Sequence, residues 1–314
     1  MQRRVSIVAR FALLLAVARP AASQPAREWC AKLPRPANAA LVRVEVSDWY
    51  RVYRVTDGVF ALAEPEQWQE AIAYLILGTD RALLFDSGIG VVPIRPVVER
   101  LTKLPVTVLN SHTHFDHMGG NWEFDRIAAM DTPFTHQSEA GVPHAAIAAE
   151  VAPGAFCGAS PAGFDTATYH TVAWRATETV RDGTRLALGG RTLEVLHVPG
   201  HTPDALALFD RANGLLWTGD SYYDGPIWLF APETDLAAYE RSMARLVALG
   251  TAVQRLLPAH NTASADPAAL GKTLAAIRAI RAGRAKPRDA TAAERVYEVG
   301  GITIVTSEAA LKKR

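Results

Sequence analysis

The sequence predicts a mixed α/β (α+β) fold in which two β-sheets form a sandwich and helices cover its outer faces. Two strand-rich halves, each followed by helical segments, run along the 314 residues. Apolar residues make up 49% of the chain and charged residues 21%, ordinary values for a soluble globular protein able to bury a sizeable core. No shift in composition separates the halves, so residues 41–314 read as one domain.

The chain begins with Arg3 and Arg4, continues through the apolar stretch Phe11 to Ala18, and reaches the small residues Ala21-Ala22-Ser23. That is the three-part layout of a cleavable signal peptide, expected here over residues 1–23 and implying a periplasmic or secreted protein. A disordered basic N-terminus is the other reading. Residues 24–40, rich in Pro and Ala, read as a linker or a strapped-down tail. Trp49 to Val55 and Gly58 to Leu62 are expected to be strands joined at the Asp57-Gly58 turn. Ile72 to Leu77 and Ala82 to Asp86 form a second pair around Gly78-Thr79-Asp80. Ile94 to Lys103 has a helical pattern, Val106 to Asn110 that of a short buried strand, and Arg126 to Met130 and Phe134 to His136 those of further strands.

Residues 137–180 are irregular, with Pro143, Pro153, Gly154, Gly158, Pro161 and Gly163 among Phe156, Phe164, Tyr169 and Trp174. They form either a lid-like insertion that supplies apolar contacts to a substrate or a surface excursion whose aromatics pack it down. Strands are expected again at Arg191 to Val198, Leu206 to Phe209, Leu215 to Thr218 and Val253 to Leu257. Asp235 to Leu249 places Leu236, Tyr239, Met243 and Leu246 on one helical face, and Pro267 to Ala282 is a second helix. Arg295 to Val299 and Ile302 to Val305 close the chain as a hairpin.

Loss of residues 1–23 would remove Arg3, Arg4, Arg10 and Arg19 and no acid from a chain with 33 basic and 32 acidic residues. A mildly acidic mature chain gives no electrostatic case for nucleic acid or an anionic membrane as partner. The two cysteines, Cys30 and Cys157, can pair in an exported protein or remain free thiols; neither has metal-ligand spacing.

The segment Ser111-His112-Thr113-His114-Phe115-Asp116-His117-Met118-Gly119-Gly120 is the most informative in the chain. Three imidazoles and a carboxylate crowd one strand end, where without a ligand they would lack partners. Imidazole nitrogen and carboxylate oxygen suit zinc and similar divalent ions. In an extended segment His112 and His114 project to one side and can bind one cation. Asp116 and His117 follow where the chain turns and can face a second. Three more strand ends carry such residues: His201 in Pro199-Gly200-His201-Thr202, Asp220 after Gly219, and His260 in Pro258-Ala259-His260-Asn261. His197 shares a strand face with Leu193 and Val195 and reads as a satisfied buried side chain, while His136, His144 and His170 stand alone.

In that order, HTHFDH, PGHT, GD and PAH resemble the metallo-β-lactamase superfamily, over roughly residues 45–285. The resemblance implies a four-layer αββα sandwich with two Zn2+ ions (or Mn2+ or Fe2+) at one edge between the sheets. It implies His112, His114 and His201 on the first ion, Asp116, His117 and His260 on the second, and Asp220 bridging them. The Asp86-Ser87-Gly88 turn also matches a superfamily feature, an aspartate that supports the ligands from behind.

Two such ions can share a water, lower its pKa towards neutrality and polarise a carbonyl, which gives acyl hydrolysis without a protein nucleophile. Asp116 and Asp220 would orient the attacking oxygen and relay its proton, and Tyr223 or its neighbour Tyr222 would donate to the oxyanion. One subclass of β-lactamases carries cysteine where Asp220 stands, and another usually lacks the bridging aspartate. Asp220 therefore points to the glyoxalase II, lactonase and thioesterase side, and THFDHMGGNWEFDR with GDSYYDG is similar to an acyl-coenzyme A thioesterase branch. Export argues against a cytoplasmic coenzyme A thioester. The expectation is an exported dinuclear zinc hydrolase of an ester, lactone, thioester or related acyl bond on a small molecule. β-Lactam hydrolysis and a mononuclear iron dioxygenase of persulfides are the alternatives; oligomeric state is not legible.

Overall fold

The computed structural model describes residues 29–291 and 293–313, so the expected signal peptide lies outside the described residues. The first sheet runs in chain order: β1 (Val42–Val44), β2 (Arg51–Thr56), β3 (Val59–Ala63), β4 (Ile72–Leu77), β5 (Ala82–Phe85), β6 (Val106–Leu109), β7 (Ile127–Met130) and β8 (Glu178–Val180). Pairing is antiparallel from β1 to β5 and parallel from β5 to β8. β4 and β5 are apolar almost throughout and buried on both faces, as strands in the middle of a covered sheet must be. The second sheet holds β9 (Arg185–Ala187), β10 (Thr192–His197), β11 (Leu206–Asp210) and β12 (Leu215–Gly219), with β14 (Arg255–Pro258) parallel to β12 at its edge.

Apolar side chains explain the layering. Tyr74, Ile76, Phe85 and Leu109 of the first sheet meet Leu193, Val195, Leu208 and Trp217 of the second in one buried cluster. The other face of the first sheet packs Leu75, Leu84 and Val108 against Val97 and Val98 of the helix Arg95–Leu101. The outer face of the second packs Leu196, Phe209 and Leu216 against the helices Leu236–Val247 and Ala268–Arg281. Helix, sheet, sheet, helix is the four-layer order expected. Asp235 starts the first of these helices by accepting hydrogen bonds from the amides of Ala237 and Ala238 at 2.8 and 2.9 Å.

Phe134 to His136, expected as a strand, lies instead in the helix Pro133–Ser138. The Thr132 hydroxyl accepts from the Thr135 amide and Pro133 sits in the first turn, so a capped helical start overrides a short apolar pattern. The C-terminal hairpin, β16 (Arg295–Val299) and β17 (Ile302–Thr306), forms as expected but belongs to a third sheet. That sheet also takes in β13 (Ile227–Leu229), parallel to β17, and β15 (Asp289–Ala290). Tyr297, Ile302 and Ile304 of the hairpin pack into the helical layer.

Residues 137–180 hold short helical turns, and Ile147, Val151, Phe156 and Tyr169 of this segment pack on Ile89 and Val91, so its aromatics seat it on the body. Cys30 and Cys157 are disulfide-bonded, which ties the N-terminal tail to this segment across 127 residues. Closing so long a loop removes chain entropy worth about 4–5 kcal/mol from the unfolded state. The Cys30→Ser/Cys157→Ser variant is therefore expected to lose stability on that scale, read as a lower urea midpoint with a steeper slope, since the uncrosslinked chain unfolds to a more open ensemble.

Candidate metal centre

The sequence-nominated side chains converge at one edge between the two main sheets. His112 and His114 follow β6, and His114 caps the single helical turn Phe115–Met118, which carries Asp116 and His117. Thus Asp116 and His117 sit on a helical turn where the sequence suggested only a bend. His201 follows β10, Asp220 follows β12 directly, and His260 follows β14. Close backbone approaches fix these loops. Gly119 donates its amide to the Gly88 carbonyl at 2.8 Å, and a Cβ on it would stand 2.2 Å from the Ile89 carbonyl oxygen. Gly219 has φ +50°, and its Cβ would stand 2.6 Å from that of Ser111.

Two groups of donor atoms result. In the first, His114 Nδ1 is 3.0 Å from both His112 Nε2 and His201 Nε2. In the second, His117 Nε2 is 3.2 Å from His260 Nε2 and 3.4 Å from Asp116 Oδ2. Asp220 lies between them, with Oδ2 3.5 Å from His201 Nε2 and Oδ1 3.2 Å from His260 Nε2. Four-coordinate zinc, with ligands about 2.0–2.1 Å away, sets its ligand atoms about 3.3–3.4 Å apart, close to these spacings.

The far side of each ring shows which nitrogens are free to ligate. His201 Nδ1 donates to the Trp228 carbonyl at 2.9 Å and His260 Nδ1 to the Gln69 carbonyl at 2.7 Å. A carbonyl only accepts, so both rings carry their proton outward and present Nε2 to the cluster. His117 Nδ1 meets Asp86 Oδ2 at 3.1 Å, which puts Asp86 in the supporting place its turn suggested. His114 is turned the other way: Nε2 meets Glu233 Oε1 at 2.7 Å and Nδ1 faces inward. His112 Nδ1 lies 3.1 Å from Ser111 Oγ. Bare nitrogens 3.0 Å apart repel unless a cation lies among them, and the buried Asp220 Oδ1 has no hydrogen-bond partner. The residues therefore fit metal ions, and His/Asp donors of this kind suit zinc-class cations.

Burial, with neighbouring imidazoles, holds His112 well below its ordinary value, and burial brings His201 down to about 4, so both are neutral at pH 7. At the second group burial still lowers His117 and His260, but Asp116 and Asp220 outweigh it and both rise. Burial works to raise the Asp116 carboxyl, yet His117 and His260 bring it down to about 2. A cation entering the second group thus displaces protons, and acid opposes its uptake.

Sequence reading missed Glu233 and Asp204. Asp204 is buried and accepts from the hydroxyls of Thr113, Thr135 and Thr202 at 2.7, 3.1 and 2.7 Å, which joins the His112–His114 loop to the His201 loop. Its neighbour Pro203 offered no motif; only proximity to PGHT marks it. Glu233→Ala is expected to weaken cation binding at the first group about 10–100-fold, as loss of a carboxylate behind a ligating histidine does; competition with a chromophoric chelator measures it. Tyr223 is buried beside His260, with ring centroids 5.0 Å apart, and its hydroxyl accepts from the Trp228 amide at 3.0 Å. Tyr222 belongs to the helical-side core. His197 is half-buried with Nε2 satisfied by the Pro203 carbonyl at 2.8 Å, and His136, His144 and His170 lie outside the cluster.

Residues 72–286 match the metallo-beta-lactamase superfamily. An acyl-coenzyme A thioesterase of Homo sapiens (MBLAC2) is 27% identical over 243 residues, covering 70% of this chain and 84% of its own length. A hydroxyacylglutathione hydrolase of Aeromonas salmonicida is 27% identical over 179 residues, 56% of each chain. Among solved structures, a metallo-beta-lactamase from Pontibacter korlensis superposes with a TM-score of 0.52 at 19% identity, over 73% of this chain and 99% of its own. Matched sequence, four-layer fold and paired donor groups agree: the chain belongs to the metallo-β-lactamase superfamily and is one of its metal-dependent hydrolases.

Proposed function

We propose that this chain is an exported dinuclear zinc hydrolase that cleaves an ester, lactone, thioester or related acyl bond of a small molecule. The observation that carries this reading is Asp220, which turns one carboxylate oxygen toward each donor group, 3.5 Å from His201 Nε2 and 3.2 Å from His260 Nε2. His112, His114 and His201 would hold one ion, Asp116, His117 and His260 the other, with Asp220 shared. Ions of this class polarise an acyl oxygen and bring the pKa of water near neutrality.

The chain's own groups supply the rest. Asp116 and Asp220 remain ionised at neutral pH and can orient a water through its hydrogens and relay its proton outward. Burial pushes the Tyr223 hydroxyl well above its ordinary value, so it keeps its proton, and since it accepts from Trp228 it retains that proton to donate to an acyl oxygen. Phe134, with its ring 5.9 Å from that of His114, and the Trp228–Phe230 pair give the rim an aromatic face suited to an apolar acyl group. The thioesterase relative supports acyl transfer to water as the chemistry. The Cys30–Cys157 disulfide supports export, since such bonds persist in oxidising compartments.

A hydrolysis screen of the zinc-loaded mature protein against lactones, aryl esters, acyl thioesters and a cephalosporin tests the reading. Turnover of an ester, lactone or thioester is expected. Cephalosporin turnover with no ester activity would reverse it, as would one iron per chain with activity on persulfide.

A further inference from the structure

The tail before β1 precedes the matched family region, which starts at residue 72, yet it reaches the wall of the metal centre. Just after Cys30 and its disulfide, Arg35 sits before the short helical turn Pro36–Ala39. Its Nε donates to Glu70 Oε2 at 2.7 Å, and its Nη2 donates both to Glu70 Oε1 and to Asn261 Oδ1, the latter at 3.0 Å. Asn38 Nδ2 donates to the Asn261 carbonyl at 2.9 Å.

Glu70 and Asn261 are not arbitrary anchors. Each follows one partner of the bond that orients His260: Gln69, whose carbonyl accepts, and His260, whose Nδ1 donates at 2.7 Å. Both adopt left-handed backbone, with φ of 45° and 66°. Such conformations cost non-glycine residues, glutamate more than asparagine, and persist where surrounding contacts hold them. The Asn261 amide donates to the Glu70 carbonyl at 3.1 Å, closing a ring through the two residues that Arg35 grips from outside. Asn261 Nδ2 also donates to the Asp224 carbonyl at 2.9 Å, which links the same clamp to the loop after Asp220.

We propose that Arg35 is a positioning residue for His260: the N-terminal strap, through Arg35, clamps Glu70 against Asn261 and so aims His260 Nε2 into the second donor group. The cation readout rests on the two-ion reading above; the exchange readout does not. A structural anchor would lower stability without singling out one histidine.

The test uses the full mature chain with Arg35→Ala and Arg35→Lys. By NMR of the histidine-labelled, metal-free protein, Arg35→Ala is expected to speed exchange of the His260 Nδ1 proton while that of His201, held by Trp228, is unchanged. In zinc titration calorimetry one of the two binding steps should lose about 10–100-fold in affinity, with the other step unmoved. Arg35→Lys keeps a charge for Glu70 but not a fork for Asn261, so it should fall between wild type and Arg35→Ala. If Arg35→Ala does not fold, Arg35→Lys carries the same comparison. Equal exchange changes at His260 and His201, or none at either, would overturn the proposal. A single zinc per wild-type chain would overturn the two-ion reading and leave the exchange comparison to decide the role of Arg35.

Discussion

Asp220→Asn is expected to lower acyl hydrolysis by about 10²–10³-fold, the scale of losing a main electrostatic contact in an active site, and to leave at most one firmly held zinc per chain. The side chain keeps its shape, so packing beside Gly219 and Ser111 survives. What changes is the donor count. Asp220 offers Oδ1 to His117 and His260, at 3.5 and 3.2 Å, and Oδ2 to His201 at 3.5 Å. Asparagine has one oxygen, and its amide nitrogen must face either the first or the second group. Facing the first, it sets two hydrogens against the neutral His112 and His201, in the place a cation would take. Facing the second, it sets them against His117 and His260, and in either orientation the charge that, with Asp116, holds His117 and His260 above their ordinary values against burial is gone. Metal analysis after gel filtration, with turnover on the best substrate from the screen, distinguishes the outcomes. Full turnover with two zinc ions in Asp220→Asn would remove Asp220 from the site.

How much of this site could be read from residues alone depended on distance along the chain. His112, His114, Asp116 and His117 declare themselves because ligands one to five positions apart form a pattern. His201, Asp220 and His260 were legible because each follows a strand, and strand ends on one side of a sheet share a rim. Glu233 stands 119 residues from His114 and has no motif around it, so only the folded chain pairs them. The carbonyls of Gln69 and Trp228 carry no side-chain signal at all. The same divide runs through the fold. β4 and β5 are unbroken apolar runs of six and four residues and fall within a residue of their expected bounds, whereas β8, β9, β13 and β15 are edge or peripheral strands of two or three residues with no room for a pattern. The third sheet depends on β13 pairing with β17 about 77 positions later, a contact that local periodicity cannot encode. Cys30 and Cys157 posed the same problem, since pairing needs their Cα atoms close, and they are 5.5 Å apart.

Asp86→Asn tests the least visible part of the design, and its effect follows from counting donors. Asp86 is buried with φ +65°, a conformation asparagine tolerates at least as well, so the substitution adds no backbone strain. Both carboxylate oxygens accept: Oδ1 from the Ser111 amide at 2.6 Å and Oδ2 from His117 Nδ1 at 3.1 Å. Asparagine can satisfy only one of the two. With its nitrogen toward Ser111, a buried backbone amide loses its acceptor, which costs about 1–3 kcal/mol. With its nitrogen toward His117, Nδ1 must accept instead, and the ring proton moves to Nε2, the atom that faces Asp116, Asp220 and His260. A protonated Nε2 cannot ligate. The expected result is a 10–100-fold loss of zinc affinity confined to the second group, together with reduced thermal stability. Nitrogen-15 shifts of His117, recorded in the metal-free protein at a pH high enough to neutralise the ring, report which nitrogen carries the proton. An unshifted tautomer with unchanged zinc affinity and stability would show that Asp86 neither orients His117 nor holds the Ser111 amide.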